Sequence, residues 1–144
     1  AEDAALAVER GADAIYVSNH GGRQLDHGRA TIDMLPEIVA AVGGRAEIVL
    51  DGGITRGSDA LKAIALGAKA VAIGKLQGWG LAAAGQAGLV RVLELLESEI
   101  TTTMGLLGVT RLDQLSAAHL SKVQPMAPTH EMSAFPHMPG GQLL

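Results

Sequence analysis

The chain contains no cysteine, a single Phe, a single Trp and a single Tyr, and no run of cationic residues. Without cysteine, neither a disulfide framework nor a thiolate metal site can form. That agrees with a reducing compartment, and a cytoplasmic location is expected. Formal net charge is −4 and the sequence pI is about 5.7, with Lys and Arg dispersed along the chain. This balance argues against binding a nucleic-acid backbone. Lys62, Lys69, Lys75 and Arg91 interrupt the apolar stretches, so none has the length of a membrane span. No charged and apolar leader opens the chain. His119, His130 and His137 show no paired ligand spacing, and no metal site is assigned.

What the sequence does have is aliphatic bulk. Of its 144 residues, 48% are apolar and 18% charged, enough for a buried core rather than a disordered chain. Ala, Val, Ile and Leu dominate, with 19 glycines among them. That mixture suits helices packed closely on a buried parallel sheet.

A helix, a glycine stop, a short apolar strand and a polar loop recur three times. The first helix runs over Glu2 to Arg10, Gly11 closes it, and Ala14 to Val17 forms a strand. The second has Thr31 as its N-cap and Met34, Leu35, Ile38, Val39 and Val42 at helical spacing. Gly43-Gly44 stops it before a strand at Ala46 to Leu50. The third is capped by Ser58 or Thr55, ends at Gly67, and leads to a strand at Ala70 to Ile73. Alternating helices and apolar strands imply parallel pairing in an α/β fold. A Gly-rich connection holding Trp79, expected to pack, precedes a helix from about Gln86 to Met104. Thr110 to Asp113 then resembles a capping box opening a last short helix to about Leu120. Four of the five prolines lie beyond Val123, marking residues 123–144 as a Pro-rich tail. The chain begins at Ala1, without Met and inside a helical pattern, so a fragment or processed piece is expected.

Sites in parallel α/β folds form where strands end. The three strand exits here are Ser18 to Asp26, Asp51 to Gly57, and Gly74-Lys75. Gly52 and Gly53 let backbone N–H groups approach an anion, and the positive end of the helix that follows points the same way. Arg56 and Lys75 add charge, and Gly74 adds another N–H. A tight turn beside a solvated Arg56 is the competing account, and paired Gly-rich exits on adjacent strands favour phosphate. In the first loop, His20 has the ordinary chemistry of a base near neutrality, and Arg23 can grip a carboxylate bidentately. Together they suit a hydroxy acid. A merely hydrogen-bonded loop histidine is the alternative, which the flanking Gly21 and Gly22 weaken by opening the backbone to a ligand. His27 and Asp26 are expected to serve their own loop, and Tyr16, inside a strand, the core.

The stretch SNHGGRQLD at 18–26, followed by DGGITRGSDALKAIALGAKAVAIGK at 51–75, resembles the FMN-dependent 2-hydroxy-acid oxidases and dehydrogenases. The resemblance covers Ala1 to about Leu120 in order and spacing. It implies a (β/α)8 barrel of which residues 1–122 are strands six to eight and the C-terminal helices. It also implies FMN-dependent oxidation of a small 2-hydroxy acid to the 2-oxo acid. By the same resemblance His20 is the base, Arg23 the carboxylate ligand, and Asp51, Gly52, Gly53, Ile54, Thr55, Arg56, Gly74 and Lys75 hold FMN. Asp51 either meets the ribityl hydroxyls or braces its loop. Thr55 and Lys75 stand where the family commonly has Arg, which removes a bidentate fork at each place. The family's strand-five lysine would precede Ala1. The isolated piece is therefore expected to be inactive, and a homo-oligomer is expected of a complete protein. The electron acceptor is not implied. Another FMN- or phosphate-binding barrel enzyme, or a non-catalytic piece that pairs with an N-terminal half, are the alternative readings.

Overall fold

The computed structural model describes residues 1–25 and 27–122. Asp26 and the 123–144 tail expected from sequence lie outside the described residues. Three parallel strands, β1 (Ala14–Val17), β2 (Glu47–Leu50) and β3 (Ala70–Val71), form a sheet in the order β1-β2-β3. Ala14 to Val17 pair with Glu47 to Leu50, and Val49 and Leu50 pair with Ala70 and Val71. Helices α1 (Glu2–Glu9), α2 (Thr31–Val42) and α3 (Gly57–Ala65) each precede one strand, and α4 (Lys75–Leu107) follows the last.

The period-2 geometry of the strands sends Val17, Ile48 and Leu50 to one face. There they are buried with Leu35, Ile38 and Val42 of α2, Ala63 of α3 and Ala4 of α1. Leu35, Leu50 and Val42 are completely buried, each contributing roughly 1.5–3 kcal/mol of transfer free energy. The alternate residues face the other way. Along the row Tyr16, Val49 and Ala70, the two ends are exposed and Val49 is half-buried. Buried parallel sheets are covered on both faces. Among the described residues, this one is covered on one.

Several boundaries depart from the sequence expectation. Strand β3 is two residues long rather than four, although the Ala72 N–H still donates to the Leu50 carbonyl at 2.9 Å. Residues from Lys75 onward are already helical, so the expected Gly-rich connection is the first arm of α4. Leu81 and the alanines after it favour helix strongly enough to outweigh Gly78 and Gly80. Ala84 and Gly85 carry non-helical dihedrals and bend the helix there. Gly80 and Gly88 face each other across the bend, so close that a Cβ on Gly80 would lie 3.0 Å from the Gly88 carbonyl oxygen. The helix continues past Gly105 and ends at Gly108, whose left-handed φ of 72° closes it. Beyond it come two 3₁₀ turns, Leu112–Gln114 and Ala117–His119, in place of a continuous last helix. The Gln114 side chain accepts from the Thr110 and Arg111 N–H groups at 2.8 and 3.0 Å, so the capping function expected there is performed, by Gln114.

Candidate active site

The exit of β1 is a turn assembled from its own side chains. The His20 N–H donates to Ser18 Oγ and the Gly21 N–H to Asn19 Oδ1, both at 3.0 Å. Residues 20 to 22 form a 3₁₀ turn in which His20, Gly21 and Gly22 have φ of 54°, 65° and 72°. Such a conformation is ordinary for glycine and uncommon for histidine.

The exit of β2 is clamped from behind by α2. Thr31 is buried, and its hydroxyl lies 2.5 Å from the Asp51 carbonyl and 3.2 Å from that of Gly52. It is the first residue of α2, after an Ala30 N-cap, so it anchors the loop instead of capping the helix as expected from sequence. Gly52 has φ of 87°, and a Cβ there would lie 2.6 Å from Asn19 Oδ1 and 3.1 Å from Thr31 Oγ1. Only glycine lets the two loops meet. Tyr16 reaches over from β1, its hydroxyl donating to Asp51 Oδ2 at 3.2 Å. It is 56% exposed and belongs to no core, contrary to the sequence expectation. Loss of solvent around the phenol, then the Asp51 charge and its hydrogen bond, raise the Tyr16 hydroxyl above its ordinary value of 10.0. Asp51 Oδ1 is buried and has no hydrogen-bond partner.

The start of α3 does not match the anion site expected there. Glu99 of α4 accepts from the Gly57 N–H and from Arg56 Nε, each at 2.7 Å. Asp59 Oδ2 accepts from the Thr55 and Arg56 N–H groups at 3.2 and 3.0 Å. Two carboxylates of the chain thus take the positive end of α3, and Glu99 also holds the Arg56 side chain. The N-cap is Arg56 itself, not Ser58 or Thr55. Burial alone would raise the Asp59 carboxyl, but the N–H bonds and the Lys62 ammonium outweigh it and hold it below 3.8.

The exit of β3 offers the free helix end instead. The first intrahelical bond of α4 runs from the Gly78 N–H to the Gly74 carbonyl at 3.1 Å. The N–H groups of Lys75, Leu76 and Gln77 therefore have no helical acceptor. Lys75 Nζ donates to the Gly21 carbonyl at 2.7 Å and ties this exit to the histidine turn.

All three exits open on one cleft of about 680 Å³. His20, Arg23, Asp51, Gly52, Gly53, Ile54, Thr55, Gly74 and Lys75 line it, joined by Asn19 and His27. Trp79 lines it too and is 60% exposed, not packed as expected. Arg56 is absent from the lining, because Glu99 holds it. The sequence reading missed Asn19 and Thr31, and gave Tyr16 to the core.

Residues 1–122 match the FMN-dependent dehydrogenase family. The chain belongs to that family. It is 56% identical over 119 residues to an L-lactate oxidase of Nostoc sp., covering 83% of this chain and 33% of the relative. It is 56% identical over 107 residues to 2-hydroxyacid oxidase 1 of Mus musculus, covering 74% of this chain and 29% of the relative. A crystal structure of mandelate oxidase superimposes with a TM-score of 0.75 at 55% identity, covering 78% of this chain and 33% of that one. The chain thus spans about a third of the length of the curated relatives it matches. The residues present suit the FMN of that family: Asp51 has a buried carboxylate oxygen without a donor, Gly52 and Gly53 leave backbone approachable, and a helix end with an ammonium group lines the same cleft.

Proposed function

We propose that residues 1–122 are strands six to eight and the C-terminal helices of a (β/α)8 barrel, and that the complete site oxidises a small 2-hydroxy acid to its 2-oxo acid. The observation that carries this is the convergence of His20, Arg23, the Asp51–Gly53 turn and Gly74-Lys75 on one cleft. The partial barrel is supported by the parallel order of the three strands and by a sheet face left open on one side.

Lys75 and the first N–H groups of α4 would hold the FMN phosphate, with Gly52 and Gly53 giving close backbone approach. Asp51 would accept from the ribityl hydroxyls, and Ile54 and Thr55 would border the phosphate. Arg56, committed to Glu99, serves by bracing that loop. Bound there, FMN supplies a two-electron acceptor. The guanidinium of Arg23 binds the substrate carboxylate and fixes the C2 end of the acid. His20 takes one proton from the hydroxy acid as the 2-oxo acid forms. Holding both groups on one short turn fixes their separation before substrate arrives, which is where orientation lowers the barrier.

This chain alone is expected to be inactive. The test supplies the part of the Nostoc relative that this chain does not match, adds FMN, and mixes anaerobically with lactate, glycolate or mandelate. Bleaching of flavin absorbance is expected with the wild-type chain and not with His20→Ala. Undiminished bleaching in that variant would remove His20 from the mechanism, and no bleaching with any of the three acids would overturn the substrate class.

A further inference from the structure

Asp51 is held by the chain at every polar atom but one. Its N–H donates to the Val17 carbonyl at 3.0 Å, its carbonyl accepts from Thr31, and Oδ2 accepts from Tyr16. Oδ1 alone is buried without a donor. A buried acceptor left unpaired is unfavourable, and a ligand that brings a hydroxyl removes the penalty. The same carboxylate could turn either oxygen toward that ligand unless something fixes it.

Tyr16 is the fixing group available. It lies on the open sheet face in register with Val49, one residue before the exit of β1. The side chains in that row, Val49 and Ala70, are apolar and small enough to leave its phenol standing clear. Its hydroxyl bonds Asp51. A tyrosine hydroxyl is protonated throughout the neutral range, and so is a donor there. We infer that Tyr16 is a positioning residue, whose hydroxyl pins Asp51 Oδ2 and so presents Oδ1 to a hydroxyl of the ligand's polyol chain. The inference rests on the proposed FMN site and adds to it a residue that none of the strand-exit motifs contains.

Tyr16 is the sole tyrosine and Trp79 the sole tryptophan, so each is a private signal. Without ligand, the 295 nm absorbance of the chain titrates Tyr16 alone. Asp51→Asn removes the charge and weakens the bond that raise its midpoint, so the midpoint falls toward 10 while the desolvation part stays. With FMN as the probe, quenching of Trp79 fluorescence reads affinity. Tyr16→Phe, which keeps the apolar ring, is expected to weaken FMN binding about three- to tenfold. Asp51→Asn weakens it at least as much, and the double variant is no worse than Asp51→Asn, because the two residues act as one unit. A Tyr16 midpoint indifferent to Asp51→Asn overturns the inference, as does FMN binding by Tyr16→Phe equal to wild type. Additive losses in the double variant overturn it too. Where the chain alone does not hold FMN, the same variants are compared by flavin fluorescence in the mixture with the unmatched part of the Nostoc relative. A wild-type chain that ignores FMN there too overturns the proposed site along with the inference, which separates that failure from the others.

Discussion

At the scale of single residues, the cleft is held open by groups that perform no chemistry. Thr31 is the strongest case, since one buried hydroxyl faces the carbonyls of both Asp51 and Gly52. Replacing it by Val keeps the volume and removes the donor. Two carbonyls beside a packed helix are then left short of a partner, at a cost of about 1–3 kcal/mol. Urea unfolding followed by circular dichroism should show that loss for Thr31→Val and little for Thr31→Ser. Equal stability of all three would mean that water replaces the hydroxyl. The residues proposed for the chemistry were legible as candidates in the sequence, because His20, Arg23 and the Gly52-Gly53 pair sit in short motifs directly after apolar strands, and the structure brings them to one cleft. Asn19 was given no role, and Thr31 and Tyr16 were given the wrong ones. Their roles depend on which loop lies beside them in space, and local pattern carries that poorly. Thr31 in particular looked like a cap because threonine before an apolar period usually is one.

At the scale of elements, the strands and first three helices follow from periodicity, while the ends follow from tertiary contacts. The start of α3 shows why. Sequence suggested a helix end open to a ligand, but Glu99, 42 residues beyond Gly57, occupies it. A Cβ on Gly57 would come within 2.7 Å of both Glu99 Cβ and the Ile100 nitrogen, so glycine there is what lets α3 dock on α4. Asp59 secures the same end through the Thr55 and Arg56 N–H groups. Its carboxyl is held below the ordinary value, so its stabilising contribution is complete above about pH 4 and disappears as the pH falls through the lower, folded-state value. Asp59→Asn keeps an acceptor but removes the charge, and should cost about 0.3–1 kcal/mol at pH 7, the usual range for a carboxylate at a helix N-terminus. The difference from wild type should shrink toward pH 3. Denaturant midpoints of both proteins from pH 7 into the acid range check this, and a gap that does not narrow at all below pH 4 would show that the carboxylate charge is not what matters.

At the scale of the whole molecule, the sheet is a surface with one finished side. Val17, Ile48 and Leu50 are sealed by helices, whereas Tyr16 and Ala70 stand exposed on the reverse. A barrel interior is such a reverse face, filled by side chains from the other strands. The two faces should respond oppositely to substitution. Leu50→Ala should cost the isolated chain about 2–5 kcal/mol, since it opens a cavity in a close-packed core. Ala70→Lys places a charge on the open face and should change the isolated chain's stability by no more than about 0.5 kcal/mol. The same lysine becomes intolerable once the face is covered, because a buried unpaired ammonium must lose its proton or expel its neighbours. In the mixture with the unmatched part of the Nostoc relative, Ala70→Lys should abolish assembly on size-exclusion chromatography while the variant chain alone remains folded. If Ala70→Lys instead unfolds the isolated chain as severely as Leu50→Ala, the reverse face is already buried in solution, and the three strands are not an open arc awaiting the rest of a barrel.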